Sequence, residues 1–512
     1  MSSGRTIRAD VAVIGAGPAG ATLATRLAQM GHDVCLLERS RFPRRHLGES
    51  LTPGVLPLLE TSGARARVEA AGFPRVRWLD VDWDAGPVRR AAAAGEGGLL
   101  VDRGRFDALL LEHARAAGVR VLQPAVARRP EQRDGAWRIP VDADGRSVEV
   151  TAPFLAVASG RAPRPGPGRI GRPTLALYAY WEGDRLPDVP RIEAGEDAWF
   201  WGVPIPDGTY NTLVFVDHAP VSAGPREAVA ERFHRLVRGS GLLAGCAGLR
   251  LSGAVRAVVA TSCLDAACVT PHSIRVGDAA LALDPLSSSG VQKALQSAVS
   301  GAIVVNTLVR RPERAELAMA FHRDALRGAF DRHAAWAAGY YATAATRRAG
   351  PFWRDRAAGA AKPSAPQTPG RAPHGAWSSA EPVRLSSRCT FVDVPCLDDE
   401  LVTRRTAVSH PGLEEPVAYL AGWELVPLLR EIPSRTTALG LVQAWSARLP
   451  PRVAFAIIDW LIERGLLDVG AGASDGRPVR SGGPLVPCRE PEQNVLDVVA
   501  RSGAATPREE PV

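Results

Sequence analysis

Three glycines decide what the N-terminus of this chain can do chemically. Gly15, Gly17 and Gly20 stand as G-x-G-x-x-G, with Pro18 and Ala19 between the last two. The first glycine permits a tight turn, the second lets backbone approach a diphosphate, and the third lets a helix pack closely on a strand. Free N–H groups and the positive end of a helix beginning there would hold the diphosphate. Glu38 follows Gly15 by 23 residues, where a ribose hydroxyl partner is expected, and Arg39 stands beside it. Together these residues predict a dinucleotide site. Taken alone, the glycines also fit a tight turn in an ordinary strand–helix–strand unit.

The elements that must position them are legible on either side. Residues 10–14 read as a buried parallel strand, 19–30 as a helix stopped by Gly31, and 33–37 as a second strand ending at Glu38. Arg103-Gly-Arg-Phe-Asp107 opens an amphipathic helix closed by Gly118, and 119–126 and 148–158 read as further strands. From 174 to 216 the pattern turns to strands rich in Tyr, Trp, Phe and Val, which predicts an inserted antiparallel sheet. A helix at 225–238 and a strand at 251–260 complete the insert. Gly277-Asp278, Asp284-Pro285 and Gly290 then lead into helices at 291–308 and 312–345.

Residues 349–385 hold Pro, Ala, Gly and Ser clusters and read as a linker. Helical patterns at 417–432, 436–449 and 451–467, the last ending in a strand signal, predict a small winged-helix-like module. The tail from 471 is expected to be poorly ordered. The predicted architecture is therefore α/β. A Rossmann-like body (1–172 and 271–348) carries an inserted antiparallel β-sheet substrate domain (173–270). The linker (349–385), the α-rich module (386–470) and the tail (471–512) follow.

At 512 residues the chain exceeds one typical core, and its 46% hydrophobic content is ordinary for a globular protein. No apolar run reaches the ~18 residues of a membrane span, and the start, Met-Ser-Ser-Gly-Arg-Thr, lacks a signal-peptide core. A cytoplasmic protein without a membrane span is expected. Seven scattered cysteines predict neither a disulfide framework nor a metal site. Net charge is +8, yet basic and acidic residues are interleaved, and 436–449 carries only Arg448 as a base, so no nucleic-acid partner is expected. Only Lys293 and Lys362 are lysines; the other 60 basic residues are arginines.

Three separated signatures occur in one order: Gly15-Ala-Gly-Pro-Ala-Gly20, Gly48-Glu49-Ser50, and Gly277-Asp278 with Asp284-Pro285. Over residues 8–345 the chain resembles the flavoprotein monooxygenases, in the branch of flavin-dependent tryptophan halogenases and halogenase-like hydroxylases. The resemblance implies FAD, held by Gly15, Gly17, Pro18, Ala19, Gly20, Glu38, Arg39, Ser50, Arg103, Gly277, Asp278, Pro285, Gly290 and Val291. The family's Trp-x-Trp-x-Ile-Pro motif is matched by Trp199-Phe-Trp201-Gly-Val203-Pro204, which by resemblance lies between flavin and substrate. The two tryptophans also share one side of a strand and could simply face a core.

One departure bears on the chemistry. By resemblance, the halogenases pass hypohalous acid to substrate with a lysine downstream of Gly-Glu-Ser. The matching stretch here, Ala71-Gly-Phe-Pro-Arg-Val-Arg-Trp78, has none. Arginine, permanently protonated and delocalised, is a poor replacement for that amine. Lys293 reads as a helix-surface or flavin contact more than as a relocated halogenating lysine. Hydroxylation through a flavin C4a-hydroperoxide needs no such lysine. Glu49 is the candidate acid/base if burial raises its pKa, with His46 a loop residue nearby and Asp80 and Asp82 given no role.

The leading expectation is an FAD-dependent monooxygenase acting on an indole or phenol, including a tryptophan held in a peptide or protein. It would use O2 and either NAD(P)H or a separate flavin reductase. The catalytic expectations are Glu49, Trp199, Trp201 and Lys293. The alternatives are a flavin-dependent halogenase of an aromatic substrate, a flavoprotein reductase, and a flavin-bound binding protein whose catalysis has decayed.

Overall fold

The computed structural model describes residues 5–92, 97–161, 168–218, 226–358, 378–413 and 415–470. The chain forms two compact units, 1–363 and 364–512.

The first unit is organised around the strand Val11–Ile14, in which Val11, Ala12 and Val13 have no exposed surface. It pairs in parallel with Val34–Leu37 on one side and Phe154–Val157 on the other. Arg120–Leu122, Ser273–Arg275 and Val269–Thr270 complete a six-stranded sheet. A strand covered on both faces needs such an uninterrupted apolar run. The helix Pro18–Gln29 follows, with proline at its start where a missing N–H costs nothing. Its first ten residues are all buried, because Gly290–Arg310 packs along it. The stretch 148–158, expected as one strand, is two. Arg146–Ala152 belongs to a separate five-stranded sheet and Phe154–Val157 to the central one. Pro153, which cannot donate to a ladder, stands between them.

The inserted antiparallel sheet reaches beyond the expected 173–270. Thr174–Glu182, Arg191–Ala194, Trp199–Pro204, Tyr210–Asp217, Arg250–Leu251 and Arg256–Val259 are joined by Trp78–Asp82 and Val88–Ala91 from much earlier in the chain. Directly opposed residues share a face. Register therefore places Tyr178 and Tyr180 with Asn211, Leu213, Trp201 and Val203, and Ala176 with Phe215 and Trp199. The opposite face (Leu175, Leu177, Trp181, Tyr210, Val214) packs on Phe233 and Val237 of the helix Arg226–Gly239.

Within 349–385, the helix Pro351–Ala357 buries Phe352 and Trp353 in the first unit. Pro382–Leu385 is a strand of the second unit, and 359–377 lie outside the described residues, as does the tail 471–512. Among the described residues of the second unit, the helices Leu425–Arg430, Ala438–Trp445 and Pro451–Glu463 accompany a small sheet formed by Pro382–Leu385, Thr436–Thr437 and Leu467–Val469. Its first helix is shorter than the 417–432 pattern predicts. Ala421 and Gly422 adopt positive φ and turn Tyr419–Leu420 back on Trp423–Glu424 before the helix begins. A long hairpin, Thr390–Asp398 with Leu401–Ser409, is an element that the sequence reading does not place.

Trp199 stacks on Phe215 (centroids 3.7 Å apart) and meets the edge of Trp83, and it is 1% exposed; Trp201 is half-buried. Trp199→Ala should therefore cost about 3–5 kcal/mol in urea unfolding, and Trp201→Ala distinctly less. Equal losses would contradict this division between core and wall.

Candidate active site

The glycine-rich turn has three different constraints at its three glycines. Gly15 has φ +100°, and a Cβ there would lie 2.4 Å from the Ala158 carbonyl oxygen. At Gly20 a Cβ would lie 1.8 Å from the Gly15 carbonyl oxygen, so strand and helix could not close together. At Gly17 it would meet only Arg44 Nη2, at 3.8 Å. The open backbone at Gly17, beside the first turn of a helix, is the geometry that a diphosphate requires. Arg44 strengthens the fit, since its Nη1 is buried without a hydrogen-bond partner and lies 3.4 Å from Asp107. The sequence reading missed Arg44; its only signal was the arginine cluster 39–45.

Glu38 is buried, and its carboxylate accepts from the N–H groups of Ala16 and Ser40, each at 2.8 Å. It thus fixes the turn while keeping lone pairs for a ribose hydroxyl. Arg39 is exposed and Pro18 and Ala19 are buried in the helix start. Gly277 has φ +60° and donates to Ser297. Asp278, one of the residues that the resemblance implies for FAD, pairs with Arg161 (3.2 Å), which also donates to the Thr261 and Leu283 carbonyls. Arg161 is a second residue missed in the sequence.

Arg103 and Asp107 form a buried pair one helical turn apart, at 2.9 Å. Burial works against the Arg103 charge, and Asp107, joined by Glu49 and Asp278, outweighs it. Its Nη1 donates to the Leu47 carbonyl at 2.5 Å, which fixes the loop entering Gly48. A Cβ on Gly48 (φ +100°) would lie 2.8 Å from that same guanidinium, with Val291 also close. The structure thus brings Gly48, Glu49, Arg103 and Val291 together. Ser50 is half-buried, paired with Leu100; Gly290 begins the helix Gly290–Arg310. Pro285 starts a short helical turn capped by the Asp284 side chain, which also accepts from the Tyr341 hydroxyl (3.1 Å).

Glu49 stands where the two layers meet. Its Oε1 accepts from the Tyr180 hydroxyl (2.7 Å) and Asn211 Nδ2 (3.0 Å) of the antiparallel sheet, and its Oε2 from the Gly48 N–H (2.8 Å). Burial pushes its carboxyl above the ordinary range, while the hydrogen bonds from Tyr180 and Gly48 and the charge of Arg103 pull it back. Burial and Glu49 together raise the Tyr180 hydroxyl far above its usual value, so it remains a donor. Glu49 is 4% exposed, and Tyr180 is its contact on the side of the antiparallel sheet. Tyr180 lines a cleft of about 100 Å³ with Arg45, His46, Leu47, Tyr178, Ser252 and Arg256. Desolvation and Arg103 lower the His46 imidazole, although part of that side chain faces solvent.

The remaining catalytic expectations lie apart. Trp199 is in the core, while Trp201 forms a half-buried wall with Tyr180, Leu100 and Val203. Lys293 Nζ donates to Gln296 one turn along its own helix (3.2 Å). Asp80 is held below the usual range by Arg89 and Arg191, which makes it part of a structural ion-pair set.

The family model described as an FAD binding domain matches residues 8–164. Tryptophan 2-halogenase from Chondromyces crocatus is 31% identical over 373 residues, covering 67% of this chain and 69% of that protein. The chain belongs to the FAD-dependent halogenase and monooxygenase family. It is an FAD-binding oxidoreductase with that family's mixed α/β fold. The solved structure of the peptidyl tryptophan dihydroxylase QhpG, essential for tryptophylquinone cofactor biogenesis, is 29% identical with a TM-score of 0.68. That likeness covers 90% of this chain and 100% of QhpG, so it extends beyond residue 363 into the second unit. The flavin-dependent halogenase CmlS shares the fold, at 22% identity and a TM-score of 0.71 over 94% of this chain and 99% of CmlS. No helix among the described residues is long and apolar enough to cross a membrane.

These contacts separate flavin binding from folding. Gly17→Val should give a folded protein, with a thermal midpoint close to that of flavin-free wild type, that purifies colourless. Gly20→Val should unfold at lower temperature, because its clash is with backbone. A stoichiometrically yellow Gly17→Val protein would remove the diphosphate from this turn.

Proposed function

We propose that this enzyme is a monooxygenase that hydroxylates an indole or phenol ring, with tryptophan held in a peptide or protein as the substrate class. The observation that carries this reading is the missing amine. The stretch 71–78 has no lysine, and Lys293, on the helix Gly290–Arg310, is engaged with Gln296. The likeness to QhpG over both units supports a peptidyl substrate, with the second unit serving to hold it.

Bound FAD supplies the oxygen chemistry, with O2 and electrons from NAD(P)H or a partner reductase. The chain's own residues do the rest. Gly17, Arg44 and Glu38 hold the dinucleotide. Arg103 pins the Leu47–Gly48 loop and so sets the position of Glu49. Tyr178, Tyr180 and Trp201 form a half-buried aromatic wall that orients a flat ring and limits water. Glu49 receives the proton that the ring loses, by way of the Tyr180 hydroxyl, a task for which a raised carboxyl pKa is suited. Halogenation is the second reading, favoured by the identity shared with tryptophan 2-halogenase.

The two are separated by supplying reduced flavin, labelled O2 and tryptophan peptides, with and without bromide. Hydroxylation predicts label in the product, no dependence on bromide, and a Lys293→Met variant that is slowed modestly with the same product. A brominated main product that disappears in Lys293→Met would establish the second reading instead.

A further inference from the structure

The cleft above Tyr180 carries a charge pattern that ring hydroxylation does not itself require. Its titratable lining consists of Arg45, His46, Tyr178, Tyr180 and Arg256, with no carboxylate among the lining residues. Arg45 has a solvent-exposed ion-pair partner in Asp207 at 3.9 Å, and Glu49 is engaged behind Tyr180. Arg256 is exposed on the strand Arg256–Val259, directly opposite Tyr178, and has no ion pair among the described residues. Arg45 lies over the Tyr180 ring, 4.9 Å from its centroid, and donates to the Ser252 carbonyl (3.4 Å). Arg45 is thus braced on an aromatic face before any ligand arrives, whereas the exposed Arg256 guanidinium, placed by its strand beside Tyr178, would be ordered by the ligand it binds.

We propose that this cleft is an anion-selective substrate subsite, in which Arg45 and Arg256 hold a carboxylate borne by the aromatic substrate while its ring lies along Tyr178 and Tyr180. The proposal rests on the reading of an aromatic substrate at this site. The same chemistry has two sources: the α-carboxylate of the target residue itself, or an acidic side chain beside it in a peptide. Guanidinium pairs with carboxylates through two parallel hydrogen bonds, and solvent at the rim keeps the gain modest.

The test is calorimetric binding to the FAD-loaded full chain, using two pairs of probes that each differ by one charge. N-acetyl-tryptophan against N-acetyl-tryptophanamide reports the α-carboxylate. N-acetyl-Glu-Trp-amide against N-acetyl-Gln-Trp-amide reports an acidic neighbour. The carboxylate member of at least one pair should bind about five- to tenfold tighter, consistent with a rim-exposed charged hydrogen bond. Arg256→Gln should abolish that preference and Arg256→Glu should reverse it, both with FAD content unchanged; Arg45→Gln should weaken it. Equal affinity within both pairs, no binding of any probe, or a preference that survives Arg256→Glu would overturn the subsite. Oxygenated product without charge preference would leave the hydroxylase reading standing and remove the subsite. Charge preference without oxygenated product would do the opposite.

Discussion

One hydrogen-bonded joint holds the candidate site together. Glu49, on a loop of the nucleotide-binding layer, accepts from Tyr180 and Asn211, which stand on neighbouring strands of the antiparallel sheet. A buried carboxylate is costly unless its oxygens are satisfied, and here both are. The joint in turn needs the loop to be fixed, which the Arg103–Asp107 pair does through the Leu47 carbonyl. It also needs Gly48 at positive φ, where the backbone can bend around that guanidinium. Removing any of these would leave a buried charge facing a displaced sheet, and that dependence ties the nucleotide turn to the aromatic wall.

The nucleotide half of this arrangement was legible in the sequence because it is local. Strand, glycines, helix and Glu38 lie within about thirty residues, and each has a separate steric or electrostatic reason to be where it is. The sheet half was legible only in outline. Alternating aromatic residues marked its strands, but Trp78–Asp82 pairs with Arg191–Ala194 more than a hundred residues along the chain, bringing its own hairpin partner Val88–Ala91 with it. Nothing in periodicity states which distant strands will pair. The same limit hid Arg44 and Arg161, whose meaning comes from Asp107 and Asp278, far along the chain. Trp199 and Trp201 show it most plainly. Identical residues two apart share a face, yet one stacks on Phe215 in the core and the other is half-buried against Leu100, Val203 and Ile205. In the second unit, the positive-φ pair Ala421–Gly422 shortened a helix that apolar spacing alone would have prolonged.

In the proposed function, the chemical outcome follows from which nucleophilic or proton-holding group stands at the aromatic wall. A lysine amine there can relay an electrophilic halogen. A carboxyl with raised pKa, reached through a phenol, can accept a proton as oxygen is added. This chain has the second set in contact, and its stretch 71–78 lacks the first. Its lysine poverty is extreme, so that arginine carries nearly every positive charge. Arginine fits ion pairs and carboxylate recognition, and it does not supply a nucleophilic amine.

The role of Glu49 depends on its carboxyl being raised in the folded protein, and stability as a function of pH reads this directly. A group whose folded pKa lies above its unfolded value of about 4.3 binds protons more tightly in the native state. Its contribution is present at low pH and lost as pH rises through the folded pKa. The isosteric Glu49→Gln variant has no such titration. Unfolding free energies of the two proteins should therefore diverge as pH rises above about 4.3, wild type losing stability relative to Glu49→Gln until the buried carboxyl is fully ionised. A difference that stays constant with pH, or in which wild type gains on the variant as pH rises, would contradict a proton-holding Glu49 and with it the proposed chemistry of the site.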